Sequence, residues 1–220
     1  MTDLDVTKAR HNMIEQQIRP WEVLDQRVLD VMEIIPREDF VPEASRNLAF
    51  ADISIPLSHG EVMMEPRIEA RMLQALNIQS TDSILEVGTG SGYITALLAK
   101  LGKYVISVDI HADNTETVRQ RLEEHHITNI TLETGDASAG WGRHAPYDVI
   151  AITGSMQTLP EAFQSSLNHG GRLFCIIGES PVMSAMLITR VGEYEWTHET
   201  LFETELPALR NIAPARHFSL

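Results

Sequence analysis

The spacing of apolar positions changes near residue 80. Before that point the stretches "LDVTKARHNMIEQQI" and "DQRVLDVMEIIPREDFV" repeat apolar residues three and four positions apart, which is the spacing of one helical face. Pro36 should end the second helix, because proline cannot continue the backbone hydrogen bonding. The first fifty residues therefore predict helices whose inward faces carry Met13, Ile14, Gln17 and Ile18, then Val28, Leu29, Met32 and Ile35.

From residue 83 short apolar runs alternate with longer amphipathic stretches. The runs "SILEV", "YVISVDI", "ITLETGD", "YDVIAITG" and "RLFCIIG" predict strands, and "YITALLAKLG", "NTETVRQRLEEHHI" and "LPEAFQSSLNHGG" predict helices, the last ending at its glycines. Apolar strands separated by helices indicate a parallel sheet covered on both faces. The final stretch "MSAMLITRVGEYEWTHETLF" predicts an antiparallel hairpin joined at residues 191–193. The predicted fold is α/β, a doubly wound, mostly parallel, seven-stranded sheet.

The organisation indicates one domain over residues 1–220. Residues 1–75 form a helical N-terminal extension with a loop, and residues 76–220 form the core. The chain contains no low-complexity tract or linker, and 220 residues suffice for one sizeable core.

The net charge of −14 disfavours nucleic acid and anionic membranes as partners, because it repels phosphate groups. The sequence shows neither a bilayer-length apolar run nor a secretory signal. Its single cysteine, Cys175, lies within the apolar run "RLFCIIG", which predicts a buried thiol and suits a reducing compartment. These features predict a cytoplasmic protein.

The stretch "LEVGTGSGY" carries the strongest chemical signal. Gly88, Gly90 and Gly92 follow a predicted strand and precede a helix, where glycine allows a sharp turn and close approach of a ligand to the backbone. A dinucleotide site requires G-x-G-x-x-G, but here the third glycine comes one residue early and Tyr93 takes its place. The sequence also lacks the G-K-[ST] of a phosphate-binding loop, so the ligand should be neither a dinucleotide nor a nucleoside triphosphate.

This loop, with Glu86 before it and Asp109 closing the next strand, resembles the S-adenosylmethionine site of class I methyltransferases. Asp109 follows Gly88 by about twenty residues, as in related nucleotide-binding units. The resemblance implies that Asp109 accepts hydrogen bonds from the ribose hydroxyls and that "TGDAS" lies beside the adenine. No metal is assigned. The expected cofactor residues are Met63, Glu86, Gly88, Thr89, Gly90, Ser91, Gly92, Asp109, Ile110, Asp136 and Ala137.

Most of the chain resembles protein-L-isoaspartate O-methyltransferases. The resemblance is carried by "IPREDFV", "ISIPLSHGEVMMEPRIEARM", "ILEVGTGSGYITALLA", "GDASAGWGRHAPYDVIAITG" and "LNHGGRLFCIIG", in that order. It implies the fold, the cofactor S-adenosylmethionine and a protein or peptide substrate. Enzymes of this family methylate a carboxylate of isoaspartyl residues, which begins the repair of damaged proteins.

The loop at residues 58–66 departs from the family pattern. The family usually reads Thr-Ile-Ser and one small or polar residue before a proline, and its serine lies at the methyl-transfer site. Counting back from Pro66 places Val62, Met63 and Met64 at those three positions. A thioether cannot donate a hydrogen bond, so Met64 cannot orient a carboxylate as a hydroxyl would. Weak or absent isoaspartyl activity is the resulting expectation.

His59, which replaces the family's glutamine before Gly60, is the second candidate catalytic residue after Met64. A carboxylate acceptor is ionised near neutral pH and needs no base, whereas a hydroxyl or amine acceptor loses a proton that His59 has a suitable pKa to accept. Two alternatives therefore stay open beside the isoaspartyl enzyme. One is a methyltransferase for a small molecule or another protein group, and the other is a cofactor-binding interaction module without catalysis.

Overall fold

The N-terminal helices form as the apolar spacing predicts. The structure, a computed structural model, describes residues 3–212. Helix α1 (Asp3–Met13) continues into a π-helical turn (Ile14–Ile18), and α2 (Gln26–Ile34) follows. The Asp25 carboxylate caps α2 by accepting a hydrogen bond from the Arg27 N–H at 2.9 Å. The predicted apolar residues are buried, namely Met13, Ile14, Ile18, Val28, Leu29, Met32 and Ile35.

A small antiparallel sheet precedes the core. Strands β1 (Ile55–Pro56) and β2 (Val62–Met63) pair with each other, and α3 (Pro66–Leu76) begins directly after them. One hydrophobic cluster joins Met13 and Met32 of the N-terminal part to Val149 and Phe174 of the core. That residues 1–220 form a single domain stays a prediction. Residues 1–2 and 213–220 lie outside the described part.

The core is a seven-stranded sheet with five parallel strands and an antiparallel end, which confirms the predicted fold class. Its strands lie in the order β5-β4-β3-β6-β7-β8-β9. They span β3 (Ser83–Val87), β4 (Tyr104–Asp109), β5 (Ile130–Thr134), β6 (Tyr147–Met156), β7 (Leu167–Glu179), β8 (Val182–Arg190) and β9 (Trp196–Glu203). The helices of the core are α4 (Tyr93–Leu101), α5 (Ala112–Glu124) and α6 (Glu161–Ser165).

The helix predicted for "LPEAFQSSLNHGG" is shorter than expected. It ends at Ser165, and β7 begins at Leu167, so the prediction of a helix running to the glycines is wrong. Leu167 is fully buried and pairs with Tyr147, whose N–H donates to the Ser166 carbonyl at 2.8 Å. The chain from Leu167 onward therefore pairs in the sheet and does not extend the helix, because a helix this short has little stability by itself.

The strand order leaves an opening at the carboxyl end of β3. The chain passes from β3 to β4 on one side, whereas β6 lies on the other, so the connections diverge at the carboxyl end of β3. Doubly wound sheets bind ligands in the crevice at this point.

Two further sequence-based expectations concern burial and membranes. Cys175 is fully buried, and burial raises the pKa of its thiol to about 12, so the prediction of a core thiol is confirmed. No helix among residues 3–212 is long and apolar enough to cross a membrane.

Candidate functional site

A cleft of about 670 Å³ opens at the carboxyl ends of the central strands. Six of the predicted cofactor residues line it together, namely Gly88, Gly90, Asp109, Ile110, Asp136 and Ala137. Residues that the sequence spreads over about fifty positions therefore meet at one surface.

The glycine loop forms one wall of the cleft with its backbone. Gly88 has φ +94°, and a Cβ there would lie 2.4 Å from the Thr153 hydroxyl oxygen. That hydroxyl donates to the Gly88 carbonyl at 2.6 Å, which holds the loop against β6. A side chain at position 88 would displace this contact and would also meet the unfavourable positive φ.

Asp109 lies at the end of β4 with its carboxylate fixed by the backbone. One oxygen accepts the Gly90 N–H at 3.0 Å and the other accepts the His111 N–H at 2.8 Å. Each carboxylate oxygen can accept more than one hydrogen bond, so capacity for a ligand remains. Asp109 therefore presents two pre-oriented acceptors at the cleft wall.

Asp136 lies farther along the cleft wall. Its two oxygens accept hydrogen bonds from the Ser138 N–H and the Asn211 amide, each at 2.9 Å. The hydrogen bond from the Ser138 N–H, with the further side-chain contacts, lowers the pKa of Asp136 below its ordinary value. The group is thus an anion held in a defined orientation.

The segment at residues 206–210 forms the facing wall, which the sequence did not predict. Ser155 exchanges backbone hydrogen bonds with Pro207 and Leu209, and its hydroxyl donates to the Leu206 carbonyl at 2.7 Å. These bonds form where the pairing of β6 with β7 shifts register, between Ala151 and Ser155. Strand β6 extends past Ile152, its last residue paired with β3, so the edge of Ser155 that faces away from β7 is open to the later segment. The only sequence signal was the family-like Pro207-x-Leu209 element.

Other residues of the cleft were also not predicted from the sequence. They come from the small N-terminal sheet, from strand ends and from the loop after β5, and they are Glu61, Val62, Val87, Val108, Gly135, Ser138, Thr153 and Gly154. Most follow or precede a predicted site residue directly, so adjacency to Gly88, Asp109 and Asp136 was the available signal.

Two predicted cofactor residues line neither this cleft nor the smaller cavity beside it. Glu86 is fully buried within the sheet, where one carboxyl oxygen accepts hydrogen bonds from the Thr95 and Ser107 hydroxyls, both at 2.5 Å. Burial raises the pKa of Glu86 to about 8. Gly92 begins α4 at φ +83°, and a Cβ there would meet Val118 at 2.5 Å. Both residues lie behind the loop, because Glu86 contacts Thr95 of α4 and Ser107 of β4, and Gly92 lies against Val118 of α5.

A second, smaller cavity of about 300 Å³ adjoins the cleft. The two share Val62, Gly88, Gly90 and Thr153 as lining residues, and we call the smaller one the acceptor slot. The remaining predicted residues Met63, Met64, Thr89 and Ser91 line this slot and not the cleft. Met63 and Met64 are buried, so the two thioethers form an apolar wall beside the glycine loop.

A buried, hydrogen-bonded pair of side chains lies behind the acceptor slot. Arg37 and Glu69 are both inaccessible to solvent and pair directly, and the Arg37 guanidinium also donates to the Met64 carbonyl at 2.7 Å. Arg37 thereby fixes the backbone of the loop that carries the methionines. Glu69 lines the slot, and its Oε1 has no hydrogen-bond partner among the described residues.

His59 lies outside both cavities, at the rim. Its Nε2 contacts the Asp113 carboxylate at 2.9 Å, and its ring stacks on His111 with centroids 3.8 Å apart and planes 9° apart. His59, His111 and Asp113 bring one potential metal-ligand atom each within 4.8 Å of one another. Within this cluster His59 and Asp113 are hydrogen-bonded to each other, and His111 joins them through its stacked ring. His59 is not positioned to act as a base in the slot.

Together, the switch-point cleft, the glycine loop and the strand-end Asp109 define a nucleoside-binding protein of the doubly wound α/β class. The family model described as Protein-L-isoaspartate(D-aspartate) O-methyltransferase (PCMT) matches residues 8–205. The chain belongs to the protein-L-isoaspartate O-methyltransferase family.

Individual relatives agree with this assignment. A protein-L-isoaspartate O-methyltransferase of Methylorubrum extorquens is 35% identical over 212 residues, which cover 96% of this chain and 92% of the relative. Two solved structures share the fold. One, a protein-L-isoaspartate O-methyltransferase, aligns with TM-score 0.78 at 23% identity over 91% of this chain and 65% of its own, longer chain. The other, from Plasmodium falciparum in complex with S-adenosyl-L-homocysteine, aligns with TM-score 0.77 at 20% identity over 93% and 98%.

Proposed function

We propose that this protein is an S-adenosylmethionine-dependent methyltransferase that esterifies a carboxylate of isoaspartyl residues in proteins or peptides. The family membership supports the reaction, and the junction of the cleft with the acceptor slot is the observation that carries it. A methyl donor in the cleft and an acceptor in the slot would meet at their shared wall of Val62, Gly88, Gly90 and Thr153.

The cleft residues fit the parts of this cofactor. Gly88 leaves space that a Cβ would fill, and Asp109 offers two fixed acceptors for a pair of ribose hydroxyls. Ile110 and Ala137 supply apolar surface, and Asp136 a hydrogen-bond acceptor, for the base. The cofactor, when bound, supplies a methyl group on a sulfonium.

The acceptor side needs orientation more than acid-base chemistry. An isoaspartyl carboxylate is already ionised near neutral pH, so no group must remove a proton from it. Holding two reactants in line is worth about 7–11 kcal/mol in well-oriented systems. The buried methionine wall excludes water and shapes the slot, and Arg37 fixes that wall through the Met64 carbonyl.

Calorimetry followed by a methyl-transfer assay tests this proposal. Saturable binding of S-adenosylmethionine, no binding of NAD at millimolar concentration, and methylation of an isoaspartyl peptide but not of its aspartyl counterpart are expected. Cofactor binding without methylation of the isoaspartyl peptide at any pH would defeat the proposed acceptor. Binding of NAD at micromolar concentration would defeat the proposed cofactor.

A further inference from the structure

One carboxyl group that lines the acceptor slot has an oxygen with no hydrogen-bond partner among the described residues. Glu69 is 1% exposed, its Oε2 pairs with Arg37, and its Oε1 has no partner among the described residues. An unsatisfied buried polar atom costs free energy, typically about 1–3 kcal/mol, unless a ligand supplies its partner. A group bound in the slot is the available partner, because Glu69 lines that cavity.

The other polar side chains of the slot are already engaged. The Thr89 hydroxyl is hydrogen-bonded to Ser107 at 2.6 Å, and Thr153 donates to the Gly88 carbonyl. Ser91 accepts the Tyr93 N–H at 3.3 Å, although a hydroxyl that accepts one bond can still donate another. No lysine, arginine or histidine is among the described residues that line the slot.

We propose that the neutral Glu69 carboxyl group binds the methyl acceptor, its Oε1 donating a hydrogen bond to the acceptor carboxylate in place of the hydroxyl that Met64 cannot provide. Glu69 is five residues beyond Met64, in α3, and both side chains line the slot. This inference rests on the proposed isoaspartyl function and assigns a residue that sequence comparison with the family pattern did not reveal.

The proton balance of the reaction is consistent with this role. The acceptor oxygen forms a bond to the methyl carbon as the carbon–sulfur bond breaks, and the electron pair of that bond stays on sulfur. The cationic sulfonium and the anionic carboxylate become a neutral thioether and a neutral ester. Glu69 keeps its proton throughout and donates to the same carboxyl oxygen of acceptor and product.

The surroundings of Glu69 favour the neutral form. Burial raises the pKa of Glu69 to about 8, and the negative charge of Glu65 adds to this rise, whereas Arg37 opposes it. The remaining titratable group that interacts with Glu69 is the buried Tyr93, whose own pKa is also raised by burial. The acid form is therefore present below about pH 8 and is lost above it. An ionised Glu69 would instead repel a carboxylate acceptor.

The pH dependence of isoaspartyl methylation tests this role, measured as total ester plus released methanol. In the unmodified protein kcat/KM should fall above about pH 8, approaching about tenfold per pH unit. Glu69→Gln keeps a donor that does not titrate, so the alkaline fall should disappear while activity at pH 7 is retained. Glu69→Leu should lose about ten- to a hundredfold at pH 7, the value of one hydrogen bond to a charged group.

Two companion variants separate the role from charge and folding effects. Glu65→Gln removes a nearby charge that faces Ser54 and not the slot. The alkaline fall should be retained but move to lower pH, because the Glu65 charge raises the pKa of Glu69. Met64→Ser restores a hydroxyl donor without touching the Arg37 pair, and should also weaken the alkaline fall. Melting temperature and cofactor affinity report whether each variant is folded.

Three outcomes would overturn the inference. If folded Glu69→Gln is more active than the unmodified protein at every pH, Glu69 acts as a repelling anion. If the alkaline fall persists in Glu69→Gln and Ser91→Ala loses activity at every pH, the donor is Ser91. Absence of any isoaspartyl methylation by the unmodified protein would defeat the proposed function and this inference with it, whereas the first two outcomes leave the function intact.

Discussion

Single residues at the cleft are held before any ligand arrives. The Asp109 carboxylate accepts hydrogen bonds from two backbone N–H groups, and the Thr153 hydroxyl donates one to the Gly88 carbonyl. Side chains that are already oriented lose little conformational entropy on binding, so their hydrogen bonds contribute more fully to affinity.

Asp109→Ala should weaken S-adenosylmethionine binding by about ten- to a hundredfold. The variant removes charge-assisted hydrogen bonds worth about 1.5–3 kcal/mol. Calorimetric titration of the folded variant measures this change. Unchanged affinity would mean that the ribose does not lie on Asp109.

At the scale of elements, the cleft depends on a junction between β6 and residues 206–210. Because β6 extends beyond the end of β3, Ser155 bonds with this later segment through both backbone and side chain while it pairs with Ile176 of β7. Leu209 then packs against Gly154, where a Cβ would lie 2.6 Å from its side chain. The facing wall therefore depends on the part of β6 that extends beyond β3.

Ser155→Ala should weaken cofactor binding more than it weakens the fold. It removes the buried bond to the Leu206 carbonyl, worth about 0.5–1.5 kcal/mol, and loosens only the cleft wall. Ser165→Ala, which removes a hydroxyl bond to the Glu161 carbonyl within α6, is the matched control and should leave affinity unchanged. Equal cofactor affinity in the two variants would show that the segment contributes nothing to the site.

At the scale of the whole molecule, two fully buried carboxyl groups couple folding to pH. Burial raises the pKa of both Glu69 and Glu86 from 4.5 to about 8. Between pH 4.5 and about pH 8 these two carboxyl groups are protonated in the folded protein and ionised in the unfolded chain. Acidic conditions therefore favour the folded state. This contribution is complete below about pH 4.5 and is lost as the pH rises through about 8.

The free energy of unfolding should therefore fall between pH 6 and pH 8, and Glu86→Gln should reduce the slope. The limiting slope is about 1.4 kcal/mol per pH unit for each such carboxyl. Urea unfolding at several pH values measures it in both proteins. The same pH dependence in Glu86→Gln and in the unmodified protein would show that Glu86 is ionised when folded.

The sequence by itself determined the alternation of strands and helices, the buried helical faces and the set of residues near the glycine loop. These features are local, because apolar spacing and glycine at a strand end act over a few neighbouring positions. The same reasoning placed Glu86 at the cofactor, although its carboxyl group is buried against Thr95 and Ser107. It also extended one helix into β7, since pairing of Leu167 with Tyr147 is not visible in the local pattern.

Only the tertiary structure decided which distant residues complete the site. Arg37 and Glu69 are 32 positions apart, and Ser155 and Leu206 are 51 apart, yet each pair meets through a hydrogen bond. The sequence made His59 a candidate base because histidine side chains can accept a proton near neutral pH, and in the fold its Nε2 contacts Asp113 at the rim. The partners and the pKa of a buried titratable group depend on the packing of the whole chain, and no local sequence pattern records that packing.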